Sequence, residues 1–280
     1  MYKILTKDKL SPVIDYLEVE APAVAKKGRA GQFVVIRIDE VGERIPLTLA
    51  DWDAERGTVT LVAMRVGTST YKLGSLNTGD SILNLVGPLG LPSEIEKYGT
   101  VICVGGGVGV APIYPIARAL KQAGNKVISI MGARCQDLLF WEDKLRSVSD
   151  ELVVTTDDGS YARKGLVTEP LKEVLERENE KVARVVAIGP AIMMKFCSLT
   201  TLPFNVPTIV SLNSIMVDGT GMCGCCRVSA DDTTKFVCVD GPEFDGHKVD
   251  WELLFNRQRI YCDEESSSLE LWESCHCKCK

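Results

Sequence analysis

The sequence predicts a β-barrel followed by an α/β domain and a small cysteine-rich domain. Three observations carry that expectation. Strand-like runs separated by turns fill residues 1–97, apolar strands alternate with helices from 100 to 212, and most of the eleven cysteines lie between Cys223 and Cys279. At 280 residues the chain has room for two ordinary domains and an appendage. The boundaries are read as 1–97, 98–213 and 214–280.

In the first segment the strand candidates are Val13–Glu20, Phe33–Asp39, Thr58–Val66 and Ser81–Val86, rich in Val and Ile and bounded by Gly, Asp and Pro. No stretch there sustains a helical apolar period, so a small antiparallel barrel or sandwich is expected. The pattern changes at Thr100. Strands are expected at Val101–Val104, Val127–Ala133, Leu152–Thr155, Val182–Ile188 and Thr208–Leu212. Helices are expected at Val110–Ala123, Asp137–Ser147, Leu166–Asn179 and Ala191–Thr201. Apolar strands alternating with helices make βαβ units, hence a buried parallel sheet of the doubly wound, nucleotide-binding kind. After Leu212 the alternation stops. The density of cysteines there points to a segment organised by a metal centre rather than by an apolar core.

Composition narrows the function classes. Apolar residues make up 45% and charged residues 25%, an ordinary globular balance, and the net charge of -6 argues against nucleic-acid binding. An odd cysteine count and a start, MYKILTKDKL, without an apolar export core favour reduced thiols or metal ligands in the cytoplasm over secreted disulfides. The uncharged run Tyr98–Ala117 is long enough to cross a bilayer. Its glycines Gly105, Gly106, Gly107 and Gly109 and prolines Pro112 and Pro115 instead read as a strand turning through a loop into a helix, and no membrane partner is expected.

The most specific motif is MVDGTGMCGCCRV with its downstream cysteine. Cys223-x2-Cys226, then eleven residues, then Cys238 offers three thiolates at the spacing of a plant-type [2Fe–2S] loop. Such a loop needs a ligand five residues before the first of these, and Asp218 stands there. A carboxylate can ligate iron as a harder donor than thiolate. Gly219, Gly221 and Gly224 let the backbone fold tightly round a cluster. The alternative is a structural zinc knuckle of Cys223, Cys225, Cys226 and Cys238, and the glycine-rich loop favours the cluster.

The second motif runs from Val101 to Pro112, where a strand ends in Gly105-Gly106-Gly107-Val108-Gly109 and a helix opens. Glycines let a pyrophosphate approach the backbone, and the helix N-terminus is positive. Asp157 and Asp158 follow the third strand of this sheet, and Gly189-Pro190 follows the fourth, at the carboxyl ends where such sheets bind ligands. Arg134, after the second strand, is placed to contact an adenosine ribose; an exposed surface arginine is the plainer reading. No catalytic residue is assigned: His247 and His276 are the only histidines, and neither sits in a triad or metalloprotease pattern. The tail cysteines Cys275, Cys277 and Cys279 are expected not to ligate a functional metal.

These blocks, in this order, resemble the ferredoxin–NADP reductase superfamily, an antiparallel flavin barrel followed by a nicotinamide-binding domain. The added cluster segment narrows the likeness to the electron-transfer subunits of dihydroorotate dehydrogenase B and their relatives. Within that group the chain is most similar to the small subunits of NADH-dependent ferredoxin:NADP oxidoreductases. The resemblance extends to about Asp263 and is most specific in GGGVGVAPIYP, LFWEDKLRSVSDE, AIGPAIMMK and MVDGTGMCG.

The resemblance implies FAD, NAD(H) and a [2Fe–2S] cluster as cofactors. Where the family carries an Arg-x-aromatic-Ser flavin motif, this chain has Ile45-Pro46-Leu47-Thr48. Thr48 matches the hydroxyl residue beside flavin N5, and Arg44 stands one residue before the family's arginine position. The second flavin segment matches Val62-Ala63-Met64, then Gly67, Ser69 and Thr70, whose amides and hydroxyls would hold the phosphates. The nicotinamide loop matches Gly106, Gly107, Val108 and Gly109, with Val108 replacing a common threonine. Asp218 in place of a first cysteine favours the ferredoxin:NADP branch over the dihydroorotate branch. The implied partner is a larger flavin and [4Fe–4S] subunit that handles ferredoxin and NADP.

Overall fold

The structure, a computed structural model, describes residues 1–178 and 181–276. The barrel strands are β1 (Tyr2–Ser11), β2 (Ile14–Glu20), β3 (Phe33–Arg37), β4 (Arg44–Asp53), β5 (Thr58–Met64), β6 (Ser81–Ile82) and β7 (Asn84–Leu89), with helices α1 (Pro22–Ala25) and α2 (Thr68–Ser75). They pair antiparallel in the order β6-β1-β2-β5-β4-β3-β7. A single residue, Leu83, separates β6 on one edge from β7 on the other, and its N–H donates to the Ile38 carbonyl at 3.0 Å. The sheet therefore curls until its edges nearly meet around Ile4, Leu17, Ile36, Leu49 and Leu61, all shut off from solvent.

All four strand candidates of this segment lie in strands, with Ser81–Val86 divided at Leu83. β1, β4 and α2 were not among them. β1 is rich in lysine, so its polar face hides the alternation. β4 contains Pro46, which ordinarily counts against a strand. Its proline is tolerated because that half of β4 pairs with β3 alone, Val35 facing Pro46 in register.

The second sheet holds β8 (Thr100–Gly106), β9 (Lys126–Ala133), β10 (Glu151–Thr156), β11 (Arg163–Lys164), β12 (Val182–Ile188) and β13 (Thr208–Ser211). Its helices are α3 (Val110–Gln122), α4 (Glu142–Ser147), α5 (Thr168–Glu178) and α6 (Ala191–Thr201). All six strands run parallel in the order β11-β10-β9-β8-β12-β13, so the winding reverses between β8 and β12. The helix expected over Asp137–Ser147 is shorter, since a 3-10 turn at Gln136–Leu138 and Trp141 in the left-handed region (φ 59°) delay it to Glu142. Tyr98–Ala117 forms β8, the glycine turn and part of α3, and no described helix is long and apolar enough to cross a membrane.

The last segment adds β14 (Arg227–Ala230), β15 (Thr233–Phe236), α7 (Val237–Asp240), β16 (Glu243–Asp245), α8 (Trp251–Gln258) and α9 (Cys262–His276). Here the expectation of a segment without an apolar core is corrected. β16 joins the edge of the parallel sheet antiparallel to β13, and Val228, Val237, Trp251 and Leu254 share one buried cluster with Val185 and Val210. A segment of this size gains more apolar burial on an existing sheet than alone.

Two contacts fix the barrel on the sheet. Arg118 of α3 bonds Asp51 of β4 at 2.9 Å, its guanidinium over the rings of Trp52 and Tyr114. Buried Asn125 accepts from the Tyr98 and Gly99 amides and donates to the Glu96 and Leu120 carbonyls, tying the linker to the end of α3.

Candidate functional site

The β4–β5 ladder stops at Leu49↔Leu61. Beyond it Pro46, Leu47 and Thr48 pair only with β3, while Val62, Ala63 and Met64 pair only with β2. The two segments expected to hold a flavin are thus the lips of one cleft, with backbone groups turned toward a gap that no described strand fills. Two residues after β5, Gly67 is the N-cap of α2 in extended conformation. A glycine has no side chain to cap the first-turn amides, so those of Thr68, Ser69 and Thr70 are left for an outside acceptor. A Cβ on Gly67 would meet nothing within 4 Å. The cradle suits a phosphate.

A buried ion pair holds α2 in place. Asp15 accepts from Arg65 at 2.6 and 2.7 Å and from Lys7 at 2.7 Å, and both cations also bond the Gly74 carbonyl at the helix end. Burial alone would raise the Asp15 carboxyl, but the bonds from Arg65 and Lys7 hold it below its ordinary range. Thr70 departs from the simple expectation. Its hydroxyl accepts from the Val66 and Gly67 amides and donates to the Gly67 carbonyl, which fills its capacity. Only its amide remains for a ligand. Ser69 donates to Glu43 at 3.0 Å, and exposed Arg44 begins β4.

The glycine turn closes the second site. β8 ends at Gly106, a 3-10 turn spans Gly107–Gly109, and α3 begins at Val110. A Cβ on Gly106 would lie 2.2 Å from Met193 Sδ, and one on Gly109 would lie 2.2 Å from the Ile188 carbonyl oxygen. Gly107 (φ 53°) instead faces open space. Gly106, Gly109, Gly189 and Pro190 thus meet where the winding reverses, between β8 and β12. Val108 shares an apolar cluster with Val62 and Met64, which sets this turn against the flavin cleft.

Farther along the same edge of the sheet, the Asp157 amide bonds the Ala133 carbonyl and the Asp158 amide that of Arg134. The Asp158 carboxylate accepts from the Ser160 hydroxyl and amide, which hold its pKa below the usual value. Beside them opens a cleft of about 580 Å³ lined by Gln136, Phe140, Trp141, Glu142 and Tyr161 among others. Trp141 and Tyr161 were not anticipated from sequence; an aromatic at the end of a βα loop was the available signal. Lys144 lies over the Trp141 and Tyr114 rings, and Arg146 bonds Glu142 at 2.6 Å.

The cysteine loop divides its donors into two pairs. Cys226 and Cys238 are buried with their sulfurs 3.2 Å apart, and burial, then the neighbouring Cys226 thiol, pushes Cys238 up to about 12. Asp218 and Cys223 form the other pair. The Asp218 carboxylate accepts the Thr220 and Cys223 amides, each at 2.8 Å, and those bonds depress its pKa. Exposed Cys223 is lowered by backbone hydrogen bonding around Cys225 and Asp218. Among the described residues no three of these donors converge on one point. Cys225 is a close neighbour whose carbonyl is held by Arg257 at 2.9 Å. The loop also leans on the barrel, since a Cβ on Gly219 would lie 3.0 Å from Val35, the register partner of Pro46. Cys275 is exposed on α9, while Cys277 and Cys279, like Asn179, lie outside the described residues.

Comparisons with known proteins agree with this geometry. Residues 103–198 match an oxidoreductase NAD-binding domain, and residues 213–250 match the iron-sulfur cluster binding domain of dihydroorotate dehydrogenase B. A dihydroorotate dehydrogenase B (NAD(+)) electron transfer subunit homolog of Thermotoga maritima is 50% identical over 96% of this chain and 94% of its own. The electron transfer subunit of that enzyme from Desulforamulus reducens is 31% identical over 89% of this chain and 97% of its own. A chain of the NADH-dependent reduced ferredoxin-NADP oxidoreductase structure superposes with a TM-score of 0.92 at 50% identity, covering 97% of this chain and 98% of its own. A Neisseria gonorrhoeae ferredoxin NADP+ reductase, 20% identical with a TM-score of 0.61 over 73% of this chain and 90% of its own, shares the fold. The chain therefore belongs to the family of dihydroorotate dehydrogenase B electron-transfer subunits and their homologues, as an oxidoreductase subunit with NAD-binding and iron–sulfur domains.

Proposed function

We propose that this chain is the NADH-side subunit of an electron-bifurcating NADH-dependent ferredoxin:NADP oxidoreductase working in the cytoplasm. Bound in the cleft between β4 and β5, FAD would supply the chemistry that accepts a hydride from NADH and passes single electrons toward a [2Fe–2S] cluster. In this reading Pro46–Thr48 and Val62–Met64 would hold the isoalloxazine, and the α2 amides and Ser69 would hold the phosphates. Gly106–Gly109, Gly189 and Pro190 receive the nicotinamide half of the dinucleotide. Arg134, Asp157 and Asp158 border the cleft for its adenosine. Asp218, Cys223, Cys226 and Cys238 would ligate the cluster, at the spacing of plant-type loops.

One observation carries the reading: the cleft between β4 and β5 lies between the glycine turn and the cluster loop. The turn shares an apolar cluster with β5, and the loop rests on Val35 beside Pro46. A flavin in that cleft would stand between an electron donor and an acceptor. Of the basic groups at the adenosine cleft, Lys144 lies over rings and Arg146 bonds Glu142, which leaves Arg134 as a lone cation where a 2′-phosphate calls for a cluster and favours NAD(H).

The direct test is purification of the native complex. A larger flavin and [4Fe–4S] subunit that handles ferredoxin and NADP is expected with this chain; a dihydroorotate-oxidising partner would establish the alternative. About two irons and two acid-labile sulfides per chain are expected. Catalytic efficiency with NADH should exceed that with NADPH by at least about tenfold.

A further inference from the structure

We infer that α9 is a strap that retains FAD by closing over the phosphate end of its site, with Ser268 as a positioning residue. The inference rests on the flavin reading above and goes beyond it, because α9 lies outside both matched domain families. Ser268 of α9 and Thr68, the first residue of α2, share a hydroxyl–hydroxyl hydrogen bond of 2.8 Å across 200 residues of sequence. α9 packs on α2, the helix whose first-turn amides Gly67 leaves uncapped.

The hydroxyls around that helix start are each held by a different element. Ser268 holds Thr68, Glu43 holds Ser69, and the loop itself holds Thr70. The amides stay available for a phosphate, and α9 stands beside them. Core packing does not explain that placement. No described side chain of α9 is fully buried, and only Leu269 and Trp272 are half-covered. A helix so weakly anchored gains from a ligand that both it and α2 enclose.

The test uses the purified flavoprotein, following the rise of free FAD fluorescence after dilution, with iron content and Tm measured alongside. Ser268→Ala removes one neutral hydrogen bond, so FAD release should quicken about fivefold, and Ser268→Thr should restore the wild-type rate. Truncation after Tyr261 removes α9 and should speed release further. Truncation after Trp272 keeps Ser268 and should change nothing. Iron content and Tm should hold in the two serine variants. Unchanged release in both Ser268→Ala and the Tyr261 truncation overturns the strap. Slower release also overturns it, since α9 would then obstruct the site. A wild-type chain that neither carries nor takes up FAD would instead overturn the flavin reading, and the strap with it.

Discussion

The nucleotide turn and the cluster loop are both rich in glycine, for different physical reasons. In the turn, Gly106 and Gly109 are needed because Met193 and the Ile188 carbonyl press against their α-carbons. In the loop, Gly219, Gly221 and Gly224 all have positive φ, from 68° to 85°, and serve to reverse the chain. The turn is bounded by buried strand and helix, so its shape is set before any ligand arrives. The loop is open, with Met222 89% exposed, and is tied by Asp218, Arg257 and the Cys226–Cys238 pair at its base. Packing prepares the first site; donor atoms organise the second.

Substitutions can break or sharpen this contrast. Gly109→Ala drives a methyl into the Ile188 carbonyl, and backbone cannot yield as a side chain would. A loss of about 2–3 kcal/mol is expected, read as a fall in Tm of roughly 5–10 °C. A Tm within a degree of wild type would refute packing as the reason for that glycine. Gly224→Ala meets only Phe236 at an ordinary 3.7 Å, so its cost is the left-handed backbone (φ 68°) alone. About 1 kcal/mol is expected, with the nucleotide site intact by NAD+ titration.

Asp218→Cys should have the smallest effect on stability and a distinct effect on redox chemistry. A less donating ligand raises a cluster's potential, as histidine does in Rieske centres, so thiolate should lower it. Redox titration of the purified chain measures this. An unchanged potential, with a wild-type spectrum of four thiolates, would remove Asp218 from the ligand set and make Cys225 the candidate.

Local patterns were legible in the sequence because they depend on near neighbours. Val182–Ile188 and Ala191–Thr201 have the bounds that strand and helix periodicity suggest. The glycine turn is recognisable because strand, turn and helix are contiguous. The cleft beside Asp158 was harder to read, since Trp141 and Tyr161 come from different βα loops and only the sheet brings them together.

By itself, then, the sequence determined a parallel sheet with a glycine turn at its first strand and a cysteine loop at iron–sulfur spacing. Apolar period and ligand spacing are properties of a few consecutive residues. Tertiary structure alone decided where β4 leaves β5, that β16 completes the parallel sheet, and that α9 rests on α2. Each depends on pairing between segments far apart in the chain. No local propensity encodes such a contact; it forms only when the whole chain has buried its apolar surface.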